Sequence, residues 1–256
     1  MSALANHHAL VTGGGTGIGA AIATALAQVG AAVSIAGRRK APLDEVAARL
    51  PKCKTIIADV TREADCTSMV EGARAAFGPL DIIVANAGLA ESAPAARINL
   101  DHWQRVIEVN LTGALLTVRA ALADVTRADA KDVRRIVFVA STAGLKGYPY
   151  IAAYCAAKHG VVGLMRALSA ELVGKGVTVN AICPGYTETP LLEMAVGNIS
   201  TLTGRSAVDA RAELAKNNMH GRLIAPEEIA QAVLWLCSPA GSSVNGQAIA
   251  IAGGQL

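Results

Sequence analysis

Along this chain, short apolar runs alternate with longer segments in which apolar side chains recur at helical spacing. Ala9-Leu10-Val11, Ala31 to Ala36, Lys54 to Val60, Leu80 to Val84, Arg135 to Ala140, Val177 to Cys183 and Gln247 to Ile251 read as strands. Most are continuously apolar rather than strictly alternating, the pattern of strands covered on both faces. Between them, Ala20 to Gly30, Pro42 to Leu50, Ala64 to Phe77, Trp103 to Ala123 and Ala152 to Leu172 carry helical spacing, and Pro226-Glu227-Glu228 starts another helix. A βαβ rhythm of this kind predicts an α/β fold, doubly wound in three layers around a mostly parallel sheet of seven strands. No repeat and no Pro- or Ser-rich linker interrupts it, so residues 1–256 are expected to form a single domain. Only Leu191 to Arg222 breaks the rhythm, with Gly197, Gly204 and a charged helical piece, Ala207 to Lys216. An excursion there would sit above the carboxyl ends of the strands as a substrate lid.

Composition narrows the partners. Apolar residues make up 52%, charged ones 17% and aromatics 3%, so Ala, Val, Ile and Leu must build the core. The net charge of +3 is dispersed, which argues against nucleic acid as a partner. The N-terminal stretch Met1 to His8 has no basic region followed by an apolar one, and nowhere do 18 apolar residues run together. A cytoplasmic protein without a membrane partner is expected. Cys53, Cys66, Cys155, Cys183 and Cys237 are widely spaced, with no metal-ligand pattern, and read as buried thiols in a reducing compartment. No metal site is expected.

Candidate chemistry gathers where strands end. Thr12-Gly13-Gly14-Gly15-Thr16-Gly17-Ile18-Gly19 lies between the first strand and the first helix. Glycines there allow a pyrophosphate to approach the backbone and sit on the free N–H groups of the helix N-terminus. The second strand ends at Gly37-Arg38-Arg39, where an acidic residue would bond a ribose diol. A guanidinium suits a 2′-phosphate instead, so Arg38, helped by Arg39, favours NADP(H), with NAD(H) as the alternative; Thr16 adds no positive charge. Asp59 reads either as an acceptor for the adenine amino group or as a helix cap. Asn110 interrupts a helical run and could hold a water. Tyr154 and Lys158, four apart on a helix, can face one cleft, and a cation beside a phenol stabilises the phenolate and lowers its pKa. Ser141 ends the fifth strand at the same rim. Arg205, Arg211 and Lys216 either meet a CoA phosphate or form a solvated helix face among Asp209 and Glu213.

Taken in order, Thr12-Gly13-x-x-x-Gly17-Ile18-Gly19, Asp59-Val60, Asn86-Ala87-Gly88, Asn110, Ser141, Tyr154-x-x-x-Lys158 and Pro184-Gly185 resemble the short-chain dehydrogenases/reductases over nearly the whole chain. The resemblance implies a Rossmann fold and a hydride exchanged between a nicotinamide and a secondary alcohol/ketone pair, with no metal in the chemistry. It implies that Tyr154 is the general acid or base and that Ser141 orients the substrate oxygen. Lys158 would lower the Tyr154 pKa and bind the nicotinamide ribose, while Asn110 would place a relay water. Cofactor contacts would extend to Ile182, Thr187 and Thr189, and the assembly would be a homotetramer. A weaker likeness points to 3-oxoacyl/3-hydroxyacyl thioesters as substrates. Ala85 and Ala157 depart from the family's frequent Asn and Ser. From a different class, a dinucleotide-binding regulator without turnover is the alternative reading.

Overall fold

The seven apolar runs pair into one sheet in the computed structural model, which describes residues 4–128 and 133–256. Met1 to Ala3, part of the N-terminal stretch considered above, lie outside the described residues. The first half runs β1 (His8–Thr12), α1 (Gly17–Gln28), β2 (Ala32–Gly37), α2 (Lys40–Ala47), β3 (Cys53–Ile57), α3 (Glu63–Phe77) and β4 (Ile82–Ala85). Then come α4 (Leu100–Ile107), α5 (Gly113–Val125), β5 (Arg135–Val139), α6 (Ala152–Leu172) and β6 (Thr178–Pro184). The chain closes with α7 (Pro190–Thr203), α8 (Ala207–Lys216), α9 (Pro226–Cys237) and β7 (Ala248–Ile251). Strand order is β3-β2-β1-β4-β5-β6-β7 and every pairing is parallel.

Alternation along the buried strands divides the core between the two faces. Ile83, Ile136 and Phe138 pack with α3, α5 and α6 residues such as Met69, Val118 and Met165. Ile82, Val84 and Val137 point the other way, among Ile22 and Leu26 of α1 and Val233 of α9. Both faces are therefore dry, and each fully buried large side chain contributes roughly 1.5–3 kcal/mol. Arg135, the first residue of β5, is 2% exposed. Its guanidinium donates to the Leu236 and Ser238 carbonyls at 2.9 and 3.3 Å, closing the C-terminus of α9, where a cation is electrostatically welcome. Burial holds its pKa below the ordinary arginine value.

Three expectations shift. The third strand stops at Ile57 rather than Val60, because the Asp59 N–H bonds the Asp65 carboxylate at 3.0 Å instead of continuing the ladder. The helix read over Trp103 to Ala123 is two helices joined by a π-turn, Glu108–Thr112, centred on Asn110. Together Leu100–Val125 is long and apolar enough to cross a membrane, yet Val106, Val118, Ala121 and Val125 are fully buried in the fold, the mark of a core helix. The excursion contains α7 as well as the expected α8. Its start is set by Thr189, whose hydroxyl caps the Leu192 N–H with Pro190 at the first turn, and its end by Gly204 in the left-handed region at φ 71°.

The reversal of strand order between β1 and β4 opens a crevice at their carboxyl ends, and the glycine turn floors it. Gly13 has φ 65°, a conformation that side chains disfavour. A Cβ on Gly19 would lie 2.2 Å from the Gly13 carbonyl and 2.5 Å from Asn86 Nδ2. Gly19→Ala is therefore expected to cost about 1–3 kcal/mol in urea unfolding, whereas Gly147→Ala, with nothing within 4 Å of the new methyl, should leave stability unchanged.

Candidate active site

Four chain segments meet at this crevice, and hydrogen bonds fix their spacing. Thr12 Oγ1 accepts from the Asn86 and Ala87 N–H groups at 3.1 and 3.2 Å, and Asn86 Nδ2 donates to the Thr12 carbonyl at 2.8 Å. The Asn86 amide thus braces the ends of β1 and β4. On α1, Thr16 makes no side-chain cap and no acidic residue stands in the first turn, so the N-terminal N–H groups remain open to an anion. Thr189 lies over this spot, its methyl 3.2 Å from where a Gly17 Cβ would be.

A cleft of about 180 Å³ leads from the turn, bounded by Arg38, Arg39, Asp59, Val60, Ala87 and Gly88. Leu43 and Val109 also line it, and neither was legible in the sequence because both read as helix core. Arg38 and Arg39 are exposed. Asp59 accepts from the Thr61 N–H and hydroxyl at 3.0 and 2.8 Å, a local turn rather than the cap of α3, which is Arg62. Burial pushes the Asp59 carboxyl up, but the Thr61 bonds with Arg38 and Arg62 nearby outweigh it and hold the carboxyl below its ordinary value. These features fit a dinucleotide: open N–H groups at a helix start, a backbone without Cβ atoms, and two guanidinium groups at the far end.

On the other side, Asn110, Ser141, Tyr154 and Lys158 converge. Asn110 is 1% exposed. Its Nδ2 donates to the Leu89 and Val106 carbonyls at 2.8 and 2.9 Å, and its Oδ1 accepts from the Leu89 N–H at 3.3 Å. Both amide hydrogens are engaged, so its side chain can meet a water only as an acceptor. Gly88 leaves the gap between them: a Cβ there would be 2.9 Å from Asn110 Oδ1 and 3.7 Å from Lys158 Nζ. Ser141 Oγ accepts from the Ala143 N–H at 3.1 Å and stands near enough to the Tyr154 hydroxyl to favour its phenolate. Lys158 Nζ donates to the Val139 carbonyl at 2.8 Å and lies 5.6 Å from the Tyr154 ring centre.

The expected lowering of the tyrosine pKa is not what this geometry gives. Burial pushes the Tyr154 hydroxyl up to about 12, with the neighbouring Ser141 hydroxyl opposing it. Burial likewise pulls Lys158 down to about 8. The ammonium is directed at a carbonyl rather than at the phenol oxygen, and desolvation penalises both charged forms.

Pro184 and Gly185 end β6, and the Gly185 N–H bonds the Ile251 carbonyl at 3.0 Å. Thr187 is buried, its hydroxyl on the Gly185 carbonyl at 3.0 Å. Asn218, absent from the sequence-derived site, is fully buried beneath this turn. Its Oδ1 accepts from the Tyr186 N–H at 3.1 Å, and its Nδ2 donates to the Tyr186 and Arg222 carbonyls at 2.8 Å each. Nothing in its position at the end of a polar helix signals burial. Arg211 pairs with Glu188 and Glu193, and Lys216 with Glu213 at 3.5 Å, so α8 is a solvated, ion-paired face. Of the two departures, Ala157 packs against Val106 and Ala153, and Ala85 joins the main core, positions where a polar side chain would need its own partner.

A doubly wound sheet with a phosphate-accepting glycine turn and a Ser-Tyr-Lys group at one rim defines a dinucleotide-dependent oxidoreductase. A family profile described as short chain dehydrogenase matches residues 7–198, and the chain belongs to that family. It is 40% identical over 257 residues to cis-4-hydroxycyclohexanecarboxylate dehydrogenase of Sinomonas cyclohexanicum, covering 98% of this chain and 97% of that one. The crystal structure of a tryptophan variant of actinorhodin polyketide ketoreductase with NADPH superposes with a TM-score of 0.92 at 33% identity, over 97% of each chain. That of 3-ketoacyl-(acyl-carrier-protein) reductase from Brucella melitensis complexed with NADH gives 0.88 at 32% identity, over 98% of this chain and 99% of that one. The protein is an NAD(P)-dependent oxidoreductase of secondary alcohols and ketones. Membership of an enzyme family removes the regulator without turnover.

The lysine carries a consequence for stability. Its pKa is 10.5 for an unperturbed side chain and about 8 when folded, so between those pH values the unfolded chain binds more protons. The Lys158 contribution to stability therefore rises with pH across that window, while Cys53, Cys66, Cys183 and Cys237, whose thiols burial pushes up from 9.0 to about 11 or 12, slope the other way. Lys158→Met should remove that contribution, stabilising the cofactor-free protein by about 1–3 kcal/mol at pH 7 and by less at pH 9.5. Urea unfolding reads it as the difference between variant and wild type at each pH, in which the thiol and tyrosine titrations cancel.

Proposed function

We propose that this protein reduces ketones to secondary alcohols, and reverses the step, with NADP(H) as the preferred cofactor. The observation that carries the reading is the meeting of Asn110, Ser141, Tyr154 and Lys158 around the opening beside Gly88. When bound, the nicotinamide supplies or accepts the hydride. Gly13, Thr16, Gly17, Ile18 and Gly19 would hold the pyrophosphate, Asp59, Val60, Asn86 and Ala87 would wall the adenosine side, and Pro184, Gly185, Thr187 and Thr189 would flank the nicotinamide.

Ser141 donates a hydrogen bond to the substrate carbonyl oxygen and fixes it beside the Tyr154 hydroxyl. With its pKa pushed up to about 12, that hydroxyl is protonated at neutral pH, the form a general acid needs. Tyr154 gives its proton to the oxygen as the carbon is reduced, and recovers it through Lys158 and a water accepted by Asn110. In oxidation Tyr154 must first lose the proton, which Lys158⁺ and a cationic nicotinamide make easier.

Helices α7 and α8 act as a lid. Leu192, Val196, Ala210 and Leu214 form a small core of their own, apart from the two main ones, which suits a unit that moves as a body. A homotetramer is part of this reading, supported by the exposed Leu100, Trp103 and Leu115 on α4 and α5. Five free thiols agree with a reducing, cytoplasmic setting.

Tyr154→Phe should abolish turnover of a ketone panel, monitored by reduced-nicotinamide absorbance, while cofactor affinity stays near wild type; wild-type turnover in that variant would dismiss the acid/base role. For cofactor choice, Arg38 offers charge-assisted bonds to a 2′-phosphate, implying an on-the-order-of tenfold to hundredfold preference for NADP. Arg38→Ala should erase most of it. Titration by the fluorescence of Trp103 and Trp235 decides, and tighter NAD binding by the wild type would reverse the assignment.

A further inference from the structure

All four tyrosines of the chain, Tyr148, Tyr150, Tyr154 and Tyr186, fall in the segments around the rim described above. Between Ser141 and α6 the chain forms the loop that carries two of them. Tyr148 donates its hydroxyl to Thr142 Oγ1 at 2.8 Å, and Thr142 directly follows Ser141. The Tyr150 carbonyl accepts from the Ala93 N–H at 2.7 Å, tying this loop to the one after β4. Tyr150 itself takes φ 67°, a strained conformation for a bulky residue that presents its side chain 66% exposed. The loop Lys146 to Ile151 is thus tied to Thr142, the neighbour of Ser141, and to the segment after β4, and it leads directly into the first turn of α6 with Tyr154.

Within that loop stands Lys146. It is half-buried, with its ammonium 5.2 Å from the centre of the Tyr148 ring. One of its three N–H donors goes to the Gln255 carbonyl at 2.8 Å. Among the described residues no carboxylate forms an ion pair with it, whereas Arg74, Arg127 and Arg211 at other half-covered positions all do. A half-buried ammonium with two donors left, beside a ring face and outside any ion pair among the described residues, is a seat for an anion.

We propose that Lys146 is a specificity-determining residue that receives a carboxylate on the substrate, so that the preferred substrates are oxo and hydroxy acids. The inference rests on Ser141 and Tyr154 being the reacting centre, and it deepens that reading. One lysine without a second cation beside it matches a singly charged carboxylate better than a phosphate. The substrate spans from its ketone at Tyr154, past Thr142 and the Tyr148 ring, to its acid group at Lys146.

The test compares 4-oxopentanoate with its methyl ester and with 2-pentanone, using the full-length protein and NADPH. Wild type should turn over the acid with the highest kcat/KM. Lys146→Met should lose on the order of tenfold to a hundredfold in kcat/KM for the acid, mostly through KM, with the ester unchanged; Lys146→Arg should restore most of it. Equal losses for acid and ester would make Lys146 a tether for the C-terminal segment and overturn the proposal, as would no loss for either or a wild type indifferent to the acid. Turnover of the neutral ketones reports the reacting centre separately. If wild type used the ester but not the acid, only the Lys146 assignment would fall, and if it used neither, the reading of the centre would fall with it.

Discussion

The bracing between Thr12 and Asn86 sets the width of the crevice. A sheet whose strand order reverses must part its connections somewhere, and here the parted ends of β1 and β4 are held at hydrogen-bond distance by one hydroxyl and one amide. From that fixed floor the glycine turn acquires its shape, since Gly19 lies against the Gly13 carbonyl and the Asn86 amide with no room for a methyl group. The direction of α1 follows, and with it the aim of the N–H groups at its start. The neighbouring Ala87-Gly88 then stays small enough to leave Asn110 and Lys158 facing one gap.

Around that gap the site holds its charge against desolvation. Lys158 is buried with the Val139 carbonyl for company and no ion-paired carboxylate among the described residues, and half-buried Tyr154 has Ser141 beside it. At neutral pH each keeps the protonation state it has in water, Tyr154 neutral and Lys158 charged, but burial shifts both away from their charged forms. A polar ligand that adds charge or hydrogen bonds of the right sign offsets part of this penalty, so burial here tunes the site instead of stabilising the fold. The π-turn at Asn110 is a second local departure from the most stable arrangement. It interrupts regular helix bonding between α4 and α5, and it turns an asparagine inward to cross-link the loop after β4.

Much of this was legible in the sequence. All seven strands appeared as apolar runs because both faces of a parallel sheet are covered, and the rim residues followed from where those runs end. The order of the motifs identified the family. What escaped was of three kinds. The π-turn has the same apolar spacing as ordinary helix, so Trp103 to Ala123 read as continuous. Asn218 is a polar residue that only tertiary packing buries, and no local pattern distinguishes it from the exposed Asn217. The surroundings of Tyr154 escaped as well, because four-residue spacing gives proximity to Lys158 but says nothing of where the ammonium points.

Asn218 also fixes the mechanics of the two-helix excursion. Two of its three hydrogen bonds fasten the return end of α7 and α8 to Tyr186 while the third holds Arg222, and the parallel bridge between Thr187 and Ile224 adds a second fastening at the same place. The outgoing end begins at Thr189, directly over Gly17. Both roots of the excursion are therefore seated beside the glycine turn, and the two helices between them leave and return at one point of the crevice rim, like a strap buckled at a single post.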